Sequence, residues 1–149
     1  MISTTNSIDI SRSLPEVFDF LQKPENYLLW QSGLFSITAS NGTEPGSILT
    51  FQSVAMGRGF EVEAKITTNN HRDKIEAVSN RGSFTFTSKY DLKAIPGGTR
   101  LRFTNRIDTH GIFHLAAGVL QSMGEVKSKA DLEQLKIMLE GQVALSPAE

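Results

Sequence analysis

The order of its sequence patterns constrains this 149-residue chain most strongly. A short strand and a capped helix come first, about six segments that alternate apolar and polar residues follow, and one long helical segment comes last. The gaps between the alternating segments have hairpin length, so the strands should pair antiparallel. The order therefore predicts a curved antiparallel sheet wrapped around a helix, an arrangement that usually encloses an apolar cavity.

The N-terminal part carries the first strand and two short helices. Ile8 and Ile10 alternate with polar neighbours, which is typical of a strand. Residues 13–16, Ser-Leu-Pro-Glu, have the pattern of a capping box with proline in the first helical turn. A second short helix over residues 24–29 leads to Trp30.

The middle of the chain has a period of two residues from position 34 to position 107. Its clearest strand alternates Phe60, Val62 and Ala64 with charged neighbours, so one face should be buried and the other should meet solvent. Residues 112–140 then predict a helix long enough to cross the sheet. Gly118 and Gly124 weaken its first half by about 1 kcal/mol each relative to alanine, and they either leave room beside the sheet or mark a kink.

Composition excludes several classes of function. The formal net charge of −1 gives no electrostatic basis for binding nucleic acid. The absence of cysteine excludes disulfides and thiolate metal sites, and it is consistent with a reducing cytoplasm. The N-terminus lacks the pattern of a signal peptide, and the longest apolar run is too short to span a membrane. We therefore expect a cytoplasmic protein without a membrane span; a homodimer is compatible with the sequence.

Motifs for cofactors and metals are missing as well. The sequence has no Walker loop, no dinucleotide glycine fingerprint and no nucleophile elbow, so no cofactor is expected. His110 and His114 have the i,i+4 spacing that can bind zinc, but no third ligand can be placed, and we predict no metal site. His110 is either an acid–base group at the rim of a pocket or a solvent-facing residue before the helix.

Several stretches spread along the chain carry a resemblance to a known family: Leu14-Pro15-Glu16-Val17-Phe18-Asp19-Phe20-Leu21, Pro24-Glu25-Asn26-Tyr27-Leu28-Leu29-Trp30, Gly46-Ser47, Phe86-Thr87-Ser88-Lys89-Tyr90, Gly97-Gly98-Thr99-Arg100-Leu101 and Leu132-Glu133-Gln134-Leu135-Lys136. In them the chain resembles the START-like superfamily of helix-grip proteins, and more narrowly its polyketide cyclase/dehydrase-type (SRPBCC) branch.

The resemblance implies one α+β domain over residues 1–149. In it, a curved seven-stranded antiparallel sheet wraps around a long C-terminal helix, with two short N-terminal helices. The superfamily has no universal catalytic signature, so the resemblance assigns no catalytic residue.

The concave face of the sheet combines aromatic and aliphatic residues, which form either a solid core or the wall of an apolar pocket; the resemblance favours the pocket. Ser88, Tyr90 and Asn105 interrupt this face and need hydrogen-bond partners in the protein, in water or in a ligand. Trp30 either closes one end of the pocket or belongs to the core. The candidate ligand-binding residues are Trp30, Phe60, Val62, Phe84, Phe86, Ser88, Tyr90, Phe103, Asn105, Val119 and Met123.

Three functions are compatible with such a pocket. The leading hypothesis is a binding protein for a small hydrophobic molecule such as a lipid, an aromatic compound or a polyketide-like metabolite. The alternative is a cyclase or dehydratase that acts on such a ligand, with Tyr90 and His110 as candidate acid–base groups and Arg58 as a candidate contact for an anionic group. The third is a protein-interaction module. The sequence leaves open whether the protein is an enzyme.

Overall fold

The computed structural model describes residues 2–55, 57–81, 85–108 and 117–145. A short 3-10 turn, Pro24–Asn26, precedes the second helix. The elements are, in chain order, β1 (Ile2–Ile10), α1 (Leu14–Leu21), α2 (Tyr27–Trp30), β2 (Leu34–Ala39), β3 (Ile48–Ala55), β4 (Arg58–Asn70), β5 (Lys74–Arg81), β6 (Thr85–Ile95), β7 (Gly98–Asp108) and α3 (Ala117–Leu145).

The described strands form a curved sheet of seven, in the order β1-β7-β6-β5-β4-β3-β2. Every neighbouring pair is antiparallel. The register shifts once between β2 and β3 and twice between β4 and β5, and such bulges bend the strands that carry them. The predicted helix-grip arrangement of sheet, long helix and two short N-terminal helices is confirmed.

The capping box at the start of α1 is present. The Ser13 hydroxyl accepts from the backbone N–H of Glu16 at 3.4 Å, and the Ser13 N–H donates to the Glu16 carboxylate at 3.4 Å. Arg12 pairs with the same carboxylate at 2.9 Å. The cap fixes where α1 begins, so that Val17, Phe18 and Leu21 point into the core.

Helix α3 lies along β1. The Gln121 amide donates to the Ser3 carbonyl at 2.9 Å, and further along the helix the Lys136 ammonium donates to the Asp9 carbonyl at 2.6 Å. The Glu140 carboxylate accepts the Ser11 N–H at 2.9 Å. These contacts advance together along both elements, so helix and strand run in the same direction.

The boundaries of β1 and α3 differ most from the sequence prediction. β1 begins at Ile2 rather than near Ile8, because the polar Thr4 lies at an inward position and hides the alternation. Helix α3 continues to Leu145 rather than ending at residue 140. The predicted start at residue 112 lies outside the described residues.

The hydrophobic core fills one end of the space between sheet and helices. It joins the C-terminal end of β1 and the start of β7 with α1 and the second half of α3, through the fully buried side chains of Ile10, Val17, Phe18, Leu21, Leu101, Leu132, Leu135 and Leu139. None of the described side chains of α3 between residues 121 and 130 belongs to this cluster. Space therefore remains between that part of the helix and the sheet.

Candidate ligand-binding pocket

A pocket of about 380 Å³ lies between the concave face of the sheet and α3. Inward residues of neighbouring strands form most of its wall, because each strand presents every second side chain to the same face. The apolar lining consists of Ile2, Leu34, Ile37, Leu49, Phe51, Val54, Phe60, Val62, Ala64, Ile66, Ile75, Ala77, Phe86, Phe103 and Ile107. The pocket is therefore suited to an apolar guest.

Aromatic rings pack around Tyr90 in the pocket wall. Tyr90 stacks on Phe103 with ring centroids 4.8 Å apart and planes inclined by 20°. The ring centroids of Tyr27 and Trp30 each lie 6.1 Å from that of Tyr90, and the rings are inclined to it, as aromatic pairs favour. Because rings on several elements hold it, the Tyr90 side chain has a fixed position in the pocket wall.

The polar groups on this wall are paired with each other. The Gln31 amide donates to the Tyr90 hydroxyl at 2.9 Å, and the Ser88 hydroxyl donates to the Asn105 side-chain oxygen at 3.1 Å. Burial raises the pKa of Tyr90 well above that of an ordinary tyrosine. Its phenol therefore stays neutral at physiological pH and can form hydrogen bonds, but it is not a base.

The end of the pocket beside α3 is polar. Asp131, with a side chain only 7% exposed, accepts hydrogen bonds from the Ser32 N–H at 3.1 Å and the Ser32 hydroxyl at 2.8 Å. Its second oxygen pairs with the Lys127 ammonium at 2.6 Å, and the Lys127 side chain is 50% exposed. Ser128, which lies between Lys127 and Asp131 in the sequence, is buried and lines the same pocket. Asp131 thus ties α3 to the turn that follows α2.

The structure brings most of the candidate ligand-binding residues together. Seven of them line the pocket: Phe60, Val62, Phe86, Ser88, Tyr90, Phe103 and Asn105.

The other four candidates do not belong to the described lining. Trp30 is 2% exposed and packs behind Tyr90 in the core cluster. Met123 is 48% exposed on α3, because the face of the helix that lines the pocket runs through Gly124 and Ser128 instead. Phe84 and the side chain of Val119 lie outside the described residues.

Sequence reasoning missed the polar end of the pocket. Lys127 and Asp131 have the spacing of an ordinary surface ion pair, so nothing in that pair alone marks a buried carboxylate. A usable signal existed: Ser128, Asp131 and Leu135 follow one another at helical spacing and continue the buried stripe toward Leu139. Polar residues on such a stripe indicate a site where the helix does not meet a packed core.

In the described part of the chain, no three His, Asp or Glu side chains are grouped as metal ligands, and no helix combines the length and apolar character needed to cross a membrane. Arg58 is exposed at the start of β4 and is not part of the lining. His110 and His114 lie outside the described residues.

The sheet, the long helix and the pocket between them define a helix-grip protein. The sequence of residues 1–140 matches the family described as polyketide cyclase / dehydrase and lipid transport. The chain belongs to this family, which confirms the resemblance found in its sequence. Among proteins of curated function, none matches the chain by sequence.

Solved structures share this fold at low sequence identity. The protein TTHA0849 from Thermus thermophilus is 15% identical with a TM-score of 0.82, over 94% of this chain and 98% of that one. The Zhui aromatase/cyclase from Streptomyces sp. R1128 is 12% identical with a TM-score of 0.79, over 95% and 94%. The Nitrosomonas europaea protein NE0264 is 15% identical with a TM-score of 0.76, over 96% and 97%. At these identities the similarity shows the fold alone.

Proposed function

We propose that this protein binds a small hydrophobic molecule, such as a lipid, an aromatic compound or a polyketide-like metabolite, in the pocket between the sheet and α3. The observation that carries the proposal is the pocket itself, a volume of about 380 Å³ with apolar walls on most strands and polar groups at one end. Membership of a family described by cyclase/dehydrase activity and lipid transport supports the same class of ligand.

The pocket is large enough for useful affinity. A ligand that buries ~300 Å² of apolar surface gains about 7 kcal/mol at roughly 25 cal/mol per Å². Part of that gain offsets the lost freedom of the ligand and the ordering of side chains. The whole 7 kcal/mol would correspond to a dissociation constant of about 10 μM, so the remainder corresponds to weaker binding, between about 10 μM and the millimolar range.

A fluorescence titration with the neutral apolar probe 1-aminoanthracene tests the proposal. Phe86 lies in the wall, with its ring centroid 6.1 Å from that of Phe51, so Phe86→Trp adds ring atoms to the pocket. We expect this variant to weaken probe binding about tenfold or more, because the larger indole ring occupies part of the volume that the probe needs. Circular dichroism should show the same folded domain.

Phe35 provides a matched control for this experiment. It is 57% exposed on β2 and does not line the pocket, so Phe35→Trp makes the same chemical change outside the proposed site. Probe affinity should remain that of the unmodified protein. The proposal fails if the unmodified protein does not bind the probe, or if both variants weaken binding equally.

A cyclase or dehydratase acting on such a ligand is the second candidate. One observation favours it: a phenol, Tyr90, and a carboxylate, Asp131, line the same pocket, and these reactions need an acid and a base beside the substrate. The geometry favours binding, because Asp131 already accepts three hydrogen bonds and the raised pKa of Tyr90 makes its phenol a weak acid.

Incubation with a linear poly-β-ketone thioester, followed by mass spectrometry, separates the two candidates. Binding alone predicts no ring product above the buffer background. A ring product formed by the unmodified protein and lost in Tyr90→Phe would establish the enzyme instead.

A further inference from the structure

We propose that the polar end of the pocket, formed by Ser128, Asp131 and Lys127, binds a hydroxyl group of a neutral ligand whose apolar body fills the rest of the pocket. The inference deepens the proposed function and rests on it. It assigns the chemical class of the ligand, an uncharged hydroxylated hydrophobic molecule, and it assigns α3 as the element that discriminates this class from a plain hydrocarbon.

The first observation is an unpaired polar group that lines the pocket. In the described residues, four buried side-chain polar atoms lack a hydrogen-bond partner, on Asn6, Trp30, Asn69 and Ser128. Of these residues only Ser128 lines the pocket, where it is 6% exposed. A buried hydroxyl without a partner is unfavourable, so a ligand atom that pairs with it is favoured. The Ser128 oxygen is covered by its surroundings in this rotamer, and a rotation about χ1 would bring it into contact with the ligand.

The second observation is the unused capacity of Asp131. A carboxylate offers about four acceptor positions. Asp131 uses two at Oδ1 for Ser32 and one at Oδ2 for Lys127, which leaves one position at Oδ2. Ser128 and Asp131 are three residues apart on one helix, so their side chains lie on the same face.

These two groups together select a hydroxyl. A hydroxyl both donates and accepts, so it can donate to Asp131 and accept from Ser128 at the same time. An anionic ligand group would be repelled by the Asp131 carboxylate, and a cationic group would be repelled by the Lys127 ammonium. Because the Lys127–Asp131 pair has no net charge, a neutral ligand suits this end of the pocket best.

Calorimetric titration with 2-naphthol and naphthalene tests this inference. The two probes share a ring system and differ by one hydroxyl. Ser128→Ala should weaken 2-naphthol binding about fivefold, which corresponds to about 1 kcal/mol, because the variant removes one hydrogen-bond partner. Naphthalene binding should change by less than about twofold. Ser122→Ala, an exposed serine on the same helix, should leave both affinities unchanged.

The outcomes separate this inference from the proposed function. If neither probe binds, the pocket proposal itself fails. If naphthalene binds but Ser128→Ala leaves 2-naphthol affinity unchanged, the pocket stands and the hydroxyl site is wrong, with water as the partner of Ser128. If Tyr90→Phe weakens 2-naphthol binding and Ser128→Ala does not, the hydroxyl is bound at the sheet wall and the inference is overturned.

Discussion

Asp131 should stabilise the fold mainly through its hydrogen bonds to Ser32 and only secondarily through its charge. Two substitutions separate these roles. Asp131→Asn keeps an oxygen that can accept both Ser32 hydrogen bonds and removes the ion pair with Lys127. Asp131→Ala removes both the ion pair and the acceptor.

The structure sets the expected magnitudes. The Lys127 side chain is 50% exposed, and ion pairs with an exposed member contribute ~0–1 kcal/mol, so Asp131→Asn should lower the free energy of unfolding by about 1 kcal/mol. Asp131→Ala also leaves the part-buried Ser32 N–H without its acceptor. Since hydrogen bonds to charged groups contribute roughly 1.5–3 kcal/mol, the total loss should be about 2–4 kcal/mol.

Urea unfolding at neutral pH, followed by the far-UV circular dichroism, measures both losses. The transition midpoint should shift while the slope with urea stays constant. Glu133→Gln neutralises an exposed carboxylate on the same helix and should change stability by less than about 0.5 kcal/mol. Equal losses in Asp131→Asn and Asp131→Ala would refute the reasoning, because the ion pair would then be the main contribution.

Two further predictions concern the fold and its pH dependence. Gly98→Ala should lower the free energy of unfolding in urea by at least about 2 kcal/mol, since an added Cβ would overlap the Ile10 carbonyl oxygen. The control Gly59→Ala, which has open space around it, should be neutral or raise stability by about 0.5 kcal/mol. Equal effects of the two substitutions would contradict this contact. The Lys136 ammonium is the main cause that holds the pKa of Glu140 below its usual 4.5. The stability that results from this lowered pKa is present above pH 4.5 and is lost as the pH falls through the lowered value. Glu140→Gln should therefore lose less stability than the unmodified protein between about pH 5 and 3. Parallel plots of the free energy of unfolding against pH for the two proteins would refute this prediction.

The elements that periodicity specifies could be predicted from the sequence. Alternation in residues such as Phe60, Val62 and Ala64 identified β4, and the pattern around Ser13 identified the start of α1. Both signals are local, because a strand period and a helix cap depend on residues next to each other in the chain. The same locality explains the error in β1, where an inward Thr4 cannot be distinguished from an outward one without its partner strand.

The pocket was harder to predict from the sequence than the fold, for a physical reason. Periodicity tells which side chains face inward, but not how far away the next layer lies. Periodicity places Tyr90 and Phe103 on the inward face, and both line the pocket. The burial of Asp131 follows from the approach of the turn at Ser32, 99 residues earlier in the chain, and a single helix pattern contains no record of that approach.

Helix α3 contributes to the pocket wall in one part of its length and to the core in another. Leu132, Leu135 and Leu139 complete the core, whereas Gly124 and Ser128 face the pocket. A Cβ added at Gly124 would lie 3.4 Å from a Thr4 methyl group, which is an ordinary van der Waals contact, so α3 passes close to β1 at this point but an alanine would fit there. An unpaired hydroxyl and a glycine both lower helix stability, and the leucines of the second half offset that loss. Under the proposed function, substitutions at Gly124 or Ser128 should therefore change ligand preference at small cost in stability, and those at the leucines should do the reverse.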